Sequence, residues 1–194
     1  MPKIVDHDER RREVLSAATA VIVRDGIDAA TSRAIAKEAG YSNGVLAHYF
    51  TDKDEILLSA LRDSHRRIRA RITERVGDAR GLAALREVLM DNLPLDEERA
   101  QETRLEISFW SRSLAVERLA EVQRAEAAEL RAAVRRLLEE ARAAGEIRAD
   151  EGLDDLTERL LALVDGLSLR SLLYPGRLGR VELERIMTTT LEAL

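Results

Sequence analysis

Residues Thr31 to Lys53 read TSRAIAKEAGYSNGVLAHYFTDK, two short helical stretches around a tight turn. Thr31 follows the break at Gly26 to Ala30, and its hydroxyl can accept a backbone N–H one turn later, so a helix starts there. Ile35, Ala36 and Ala39 recur at helical spacing and give that helix a small apolar stripe suited to close packing. Gly40 ends it, because glycine accepts the left-handed backbone that closes a helix, and Ser42 caps the next. The second stretch, Asn43 to Phe50, turns Val45, Leu46, Tyr49 and Phe50 inward and leaves Asn43, Gly44, Ala47 and His48 outward. Thr51-Asp52-Lys53-Asp54 then reads as a capping-box-like helix start, with Thr51 as the cap and Asp54 reciprocating.

Two helices joined by so few residues form a helix-turn-helix. The slim polar outer face of the second is what close approach to base edges and phosphates in the major groove requires. Lys53 sits in a first helical turn, where a cation opposes the helix dipole. That placement points to a partner anion such as a DNA phosphate, with Asp52 and Asp54 as the competing neutralisers.

The pattern T-S-R-A-I-A-x-x-A-G-Y-S-x-G-x-L-x-H-Y-F-x-x-K, followed by D-E-I-L-L, resembles the DNA-binding domain of the TetR family of one-component bacterial transcription regulators, over about residues 8 to 60. The segment Leu46 to Phe50 also resembles the branch that contains the choline-responsive repressor of betaine synthesis. The resemblance implies that Asn43, Gly44 and His48 meet DNA. It also implies that Thr31, Ser32, Arg33, Ser42, Tyr49 and Lys53 position the reading helix mainly through phosphates, with Arg33 in reach of a base. At Ala47, where many family members carry an aromatic residue, the chain departs from the pattern.

Composition agrees with a helical regulator. The 194 residues include 35% charged and 3% aromatic residues, three prolines and ten glycines, a balance that favours long salt-bridged helices over a β-rich fold. No cysteine is present, so disulfides and thiolate metal sites are excluded and a cytoplasmic location is expected. The polar N-terminus is unlike a signal peptide, and no apolar run approaches the ~18 residues a membrane helix needs. The net charge of −5 is unevenly spread. Residues 1–80 hold 15 basic and 13 acidic residues, net +2, whereas 81–194 hold 16 and 23, net −7. Arg10, Arg11, Arg12, Arg33, Lys37 and Lys53 are local basic points able to bind phosphates, and Arg10 to Arg12 read equally well as a solvated helix start.

The periodicity predicts an all-α chain of about nine helices: an N-terminal helix-turn-helix domain over residues 8–60, with the motif at about 31–50, and a larger C-terminal domain over 61–194. The first helix runs from about Asp8 to Asp25 and the fourth from about Asp52 to Val76. Leu82 to Leu93, Asp96 to Leu114, Val116 to Ala144, Leu153 to Leu173 and Val181 to Leu194 follow, punctuated by Pro94, Gly145 and Tyr174-Pro175-Gly176. The last two helices carry more apolar residues than one buried face uses. Pairing them with a second copy would bury Leu160, Leu163, Val164, Leu167 and Ile186 in a four-helix bundle, the way TetR-like proteins dimerise; the alternative is a single-chain core. A two-fold dimer would present two reading helices to a pseudo-palindromic operator.

The resemblance further implies a small-molecule effector held among the fourth to eighth helices. Arg104, Phe109 and Trp110 are the candidates, with Glu106, Ser108, Ser111, Arg112 and His65 as polar neighbours; the stronger reading makes Phe109 and Trp110 core anchors and the charges solvated faces. A quaternary ammonium ligand prefers a cage of several aromatics, and beyond the reading head the chain has only Phe109, Trp110 and Tyr174. His7, His48 and His65 lack metal-like spacing, no cofactor motif occurs, and no H-E-x-x-H, P-loop or G-x-S-x-G points to an enzyme. The expected function is thus a ligand-responsive transcriptional repressor. A constitutive DNA-binding or architectural protein and a helical interaction module are the alternatives.

Overall fold

The computed structural model describes residues 7–148 and 152–194, and among them all regular structure is helical. The helices are α1 His7–Asp25, α2 Ser32–Glu38, α3 Asn43–Leu46, α4 Lys53–Val76, α5 Gly81–Asp91, α6 Glu97–Ser113, α7 Glu117–Ala143, α8 Leu153–Leu173 and α9 Arg180–Glu192. Boundaries agree with the periodicity to within about two residues except in α3. Its regular part stops at Leu46, and the backbone tightens afterwards: His48 donates its N–H to the Val45 carbonyl (3.1 Å) and Tyr49 donates to Leu46 (2.9 Å). Such i to i−3 bonds narrow a helix end into a 3₁₀-like turn, so the expected helix Asn43 to Phe50 is a four-residue helix plus a turn.

The chain divides into two compact units. One comprises residues up to Arg66 together with Leu105–Val122; the other comprises Arg67–Arg104 and Gln123–Leu194. In the first, Val14, Ala18, Val21 and Ile22 of α1 pack with Ile35 of α2, Leu46 and Phe50 of the reading segment, and Leu57 and Leu61 of α4. Leu105, Phe109 and Leu119 complete that core, and Phe109 is fully buried in it. Periodicity marks these last three as apolar but not which core they join, because the α1 to α4 residues of that core lie more than 40 residues away in the chain. Truncating a buried Phe of this kind costs about 3–5 kcal/mol.

In the second unit α5, the later part of α7, α8 and α9 enclose Leu85, Leu89, Val134, Leu138, Leu156, Leu160 and Met187. A buried carboxylate joins three helices there. Asp91, whose side chain has no exposed surface, accepts from Arg71 Nε at 3.0 Å and from Arg75 Nη1 at 3.2 Å, and Arg71 also donates to Glu102 at 2.6 and 2.9 Å. The Glu102 bonds, with those to Asp91, raise the Arg71 pKa. Among the described residues no helix is long and apolar enough to cross a membrane.

Candidate nucleic-acid interface

Local chemistry sets the geometry of the segment from Thr31 to Lys53. Thr31 Oγ1 accepts the Ala34 N–H at 3.1 Å and Ser42 Oγ accepts the Val45 N–H at 3.4 Å, so both helices begin on hydroxyl caps. Between them Gly40 takes φ +73°, its N–H bonds to the Lys37 carbonyl at 3.2 Å, and the Tyr41 N–H reaches back to the Ala36 carbonyl at 2.8 Å. This pair of bonds is a Schellman closure, which reverses the chain in the fewest residues. The next cap lies one residue later than the sequence suggests. Asp52 accepts the Glu55 N–H at 2.7 Å, while Glu55 receives both the Thr51 N–H (2.6 Å) and the Thr51 hydroxyl (2.7 Å). Asp52 is therefore the cap and Glu55, not Asp54, reciprocates, because Glu has the reach to return to Thr51. The two Thr51 bonds, the backbone one foremost, hold the Glu55 carboxyl below its ordinary range.

One side of the reading segment is anchored and the other is open. Leu46 and Phe50 are buried, while Ser42, Asn43, Gly44, Ala47 and His48 are exposed and Tyr49 is half-buried. A Cβ placed on Gly44 would meet only Ser42 Oγ, at 3.7 Å. Of the α2 residues, Arg33 and Lys37 are exposed and Ser32 is half-buried.

The basic residues of this unit fall into two groups. Arg24 pairs with Asp25 and Glu38 at 3.0 Å, tying the ends of α1 and α2. Arg10 lies 5.8 Å from the centre of the Tyr41 ring, and the Tyr49 hydroxyl raises its pKa. Tyr41 donates its hydroxyl to Glu13, which raises the phenol pKa. Arg11 is also committed: it donates to the Tyr49 carbonyl at 2.7 Å and to Ser59 Oγ at 3.1 Å, and its guanidinium lies 4.3 Å from the Phe50 ring centre. Arg11 is thus an internal tie and not the solvated phosphate contact its neighbours in sequence suggest. Among the described residues Arg12, Arg33, Lys37 and Lys53 have no such partner, and neither Asp52 nor Asp54 takes up Lys53. These four cations, on or beside the helix-turn-helix, are available to a polyanion.

The residues expected at an effector are placed differently from one another. Phe109 is a core anchor with no exposed surface. Half-buried Trp110 donates its indole N–H to Glu106 at 3.1 Å, and the other Glu106 oxygen lies 2.9 Å from Nε2 of the buried His65. Arg112 pairs with Asp28 at 2.8 Å. Arg104 belongs to the second unit, where it bonds Glu97 at 3.3 Å. Of the residues expected at a pairing face, Leu160, Val164 and Leu167 are buried within their own unit, and Leu163 and Ile186 are half-buried against the same core. Leu173, Tyr174 and Val181 are exposed by 59%, 50% and 70%.

An all-helical chain with a hydroxyl-capped helix-turn-helix near its N-terminus and a second helical unit defines a DNA-binding transcription regulator. Residues 81–194 match the family described as BetI-type transcriptional repressor, C-terminal, and residues 14–60 match bacterial regulatory proteins, tetR family. The chain belongs to the TetR family of transcriptional regulators and carries a BetI-type C-terminal domain. It is 30% identical over 195 residues to the HTH-type transcriptional regulator PksA of Bacillus subtilis (strain 168), a match spanning 100% of this chain and 94% of that one. It is 31% identical over 192 residues to the HTH-type transcriptional regulator BetI of Stenotrophomonas maltophilia (strain R551-3), across 96% and 93% of the two chains. A transcriptional regulator from Saccharomonospora viridis, crystallised in complex with choline, shares the fold with a TM-score of 0.89 at 22% identity, over 95% of this chain and 96% of that one.

Proposed function

We propose that this regulator works as a cytoplasmic homodimer that represses transcription by reading a pseudo-palindromic operator and releases it when a small molecule binds the C-terminal domain. The observation that carries the reading is the open side of the Ser42 to His48 segment, flanked by the unpaired cations Arg33, Lys37 and Lys53. Asn43, Gly44 and His48 meet base edges. Thr31, Ser32, Ser42, Tyr49 and Lys53 hold phosphates, and Arg33 holds a phosphate or reaches a base. Selection of bound sequences from random duplexes tests this: an enriched palindrome is expected, and recovery of no preferred sequence would identify a helical interaction module instead.

For the pairing face, the exposed Leu173, Tyr174 and Val181 extend the half-buried Leu163 and Ile186, and a second copy is the occupant that buries them. Leu160, Val164 and Leu167 support that face from behind. Sedimentation equilibrium at micromolar concentration is expected to return twice the 21.7 kDa chain mass. For the effector, Trp110 offers a ring with the Glu106 carboxylate beside it, the pairing a small cation uses, and Phe109 fixes α6 behind it. Arg104 is a separate candidate contact. A cation of the choline class, the ligand of the Saccharomonospora neighbour, is the first compound to test by thermal shift. A stabilising ligand that also weakens operator binding supports the mechanism, and a screen in which no stabilising ligand alters operator binding would point to a constitutive binder.

A further inference from the structure

We infer that Arg11, on a helix that supplies none of the proposed base contacts, is the positioning residue that sets the reading segment for specific recognition. The inference rests on the proposal that Ser42 to His48 reads DNA. The regular part of α3 is four residues long, far below the length at which a helix persists unaided. Its orientation therefore comes from its attachments. At its N-terminal end Ser42 caps it, and along its inner side Leu46 is buried. Beyond Leu46 the 3₁₀-like turn satisfies the last α3 carbonyls from the N–H groups of His48, Tyr49 and Phe50, and Arg11 takes hold of the turn itself. Arg11 Nη1 donates to the Tyr49 carbonyl at 2.7 Å. Nη2 donates to Ser59 Oγ at 3.1 Å and lies 3.7 Å from Glu55 Oε1 on α4, and the guanidinium carbon sits over the Phe50 ring, 4.3 Å from its centre.

One planar group thus joins α1, the end of the reading turn and α4. The job needs an arginine. Its fork delivers two differently directed donors while its face covers an aromatic ring, whereas a lysine ammonium supplies only a point charge on a flexible stem. Glu55, which receives Thr51 and faces Arg11, links the same clamp to the start of α4.

Arg11→Lys separates this role from the two simpler ones, because it keeps the charge and removes the fork. The operator is first obtained from random duplexes with the wild-type protein; if no sequence is enriched there, the reading of DNA by Ser42 to His48 fails, whatever Arg11 does. Given an operator, Arg11→Lys is expected to lose about tenfold in operator affinity, the scale of one charge-assisted hydrogen bond. Affinity for random duplex and the salt slope should stay unchanged, and amide hydrogen exchange should quicken at Val45 to Phe50 but not in α1 or α4. A wild-type operator-to-random ratio in Arg11→Lys would overturn the inference. So would a loss of both affinities together with a smaller salt slope in Arg11→Gln while Arg11→Lys stays normal, which is the signature of a plain phosphate contact. Faster exchange throughout the first unit in Arg11→Lys would also overturn it, by showing a general packing role.

Discussion

Substituting Gly44 by alanine pits folding against recognition at one atom. Gly44 is the second helical residue of α3, its φ is not in the left-handed region, and an added Cβ would meet only Ser42 Oγ at 3.7 Å, an ordinary van der Waals contact. In the free protein the methyl therefore fits without strain. Glycine within a helix is disfavoured relative to alanine by about 0.5–1 kcal/mol, so Gly44→Ala should make the protein slightly more stable, by an amount at or below the lower figure because the site lies in the first turn. On DNA the sign reverses. Gly44 is exposed between Asn43 and His48, and an extra methyl in a closely packed contact costs about 1–3 kcal/mol, or roughly 5- to 150-fold in affinity. No charge changes, so the salt slope should hold. Urea unfolding gives the first quantity and fluorescence anisotropy on the selected operator gives the second. Wild-type operator affinity in the alanine variant would refute the idea that DNA closes over this residue. Lower stability would refute the strain-free placement.

Three further outcomes follow from the same structure. Lys53→Ala should weaken binding to every duplex and reduce the slope of log affinity against log salt by about one unit with unchanged operator preference, measured by anisotropy between 50 and 200 mM salt; an unchanged slope would remove its phosphate role. Asp91→Ala leaves Arg71 and Arg75 facing the site of a lost buried carboxylate and should cost about 3–5 kcal/mol in urea unfolding, well above an exposed-pair control such as Arg180→Ala, whose partner is Glu184. The Glu55 carboxyl is held below its ordinary range by Thr51, so its contribution to stability is complete above about pH 4.3 and is lost as pH falls through the lowered value. The stability gap between wild type and Glu55→Gln should accordingly shrink on acidification from pH 7, and a gap that widened would contradict the Thr51 bonds.

The helical fold and the Thr31 to Lys53 motif were legible because their determinants are local. A hydroxyl one residue ahead of an apolar stripe and a glycine one residue after it are enough to begin and end α2, and both lie within a few residues of the bonds they make. The outward set Asn43, Gly44, Ala47 and His48 follows from periodicity in the same way. What could not be read were ties between distant positions. Arg11 reaches residues 38 and 48 positions away, and nothing around it distinguishes it from Arg10 or Arg12. Phe109 lies in the core of the first compact unit, while Leu160, Val164 and Leu167 are covered by their own chain, because an apolar face announces burial without naming its cover. Choosing Thr51 over Asp52 as a cap was a contest between adjacent residues that side-chain reach decides, and reach is a property of the folded backbone.

The division of the first unit's cations into committed and uncommitted ones bears on how the operator is found. Among the described residues Arg12, Arg33, Lys37 and Lys53 are uncommitted, whereas Arg10, Arg11 and Arg24 are tied to their own unit, in a chain whose net charge is −5. Approach to DNA then lacks the long-range steering that accelerates basic proteins. Contacts with random duplex should accordingly be few and short-lived, so that one-dimensional sliding is expected to be short and the search to proceed by repeated encounters from solution. Operator occupancy is then expected to follow closely the number of regulator molecules in the cell, since little of the population would be held in reserve on the rest of the genome.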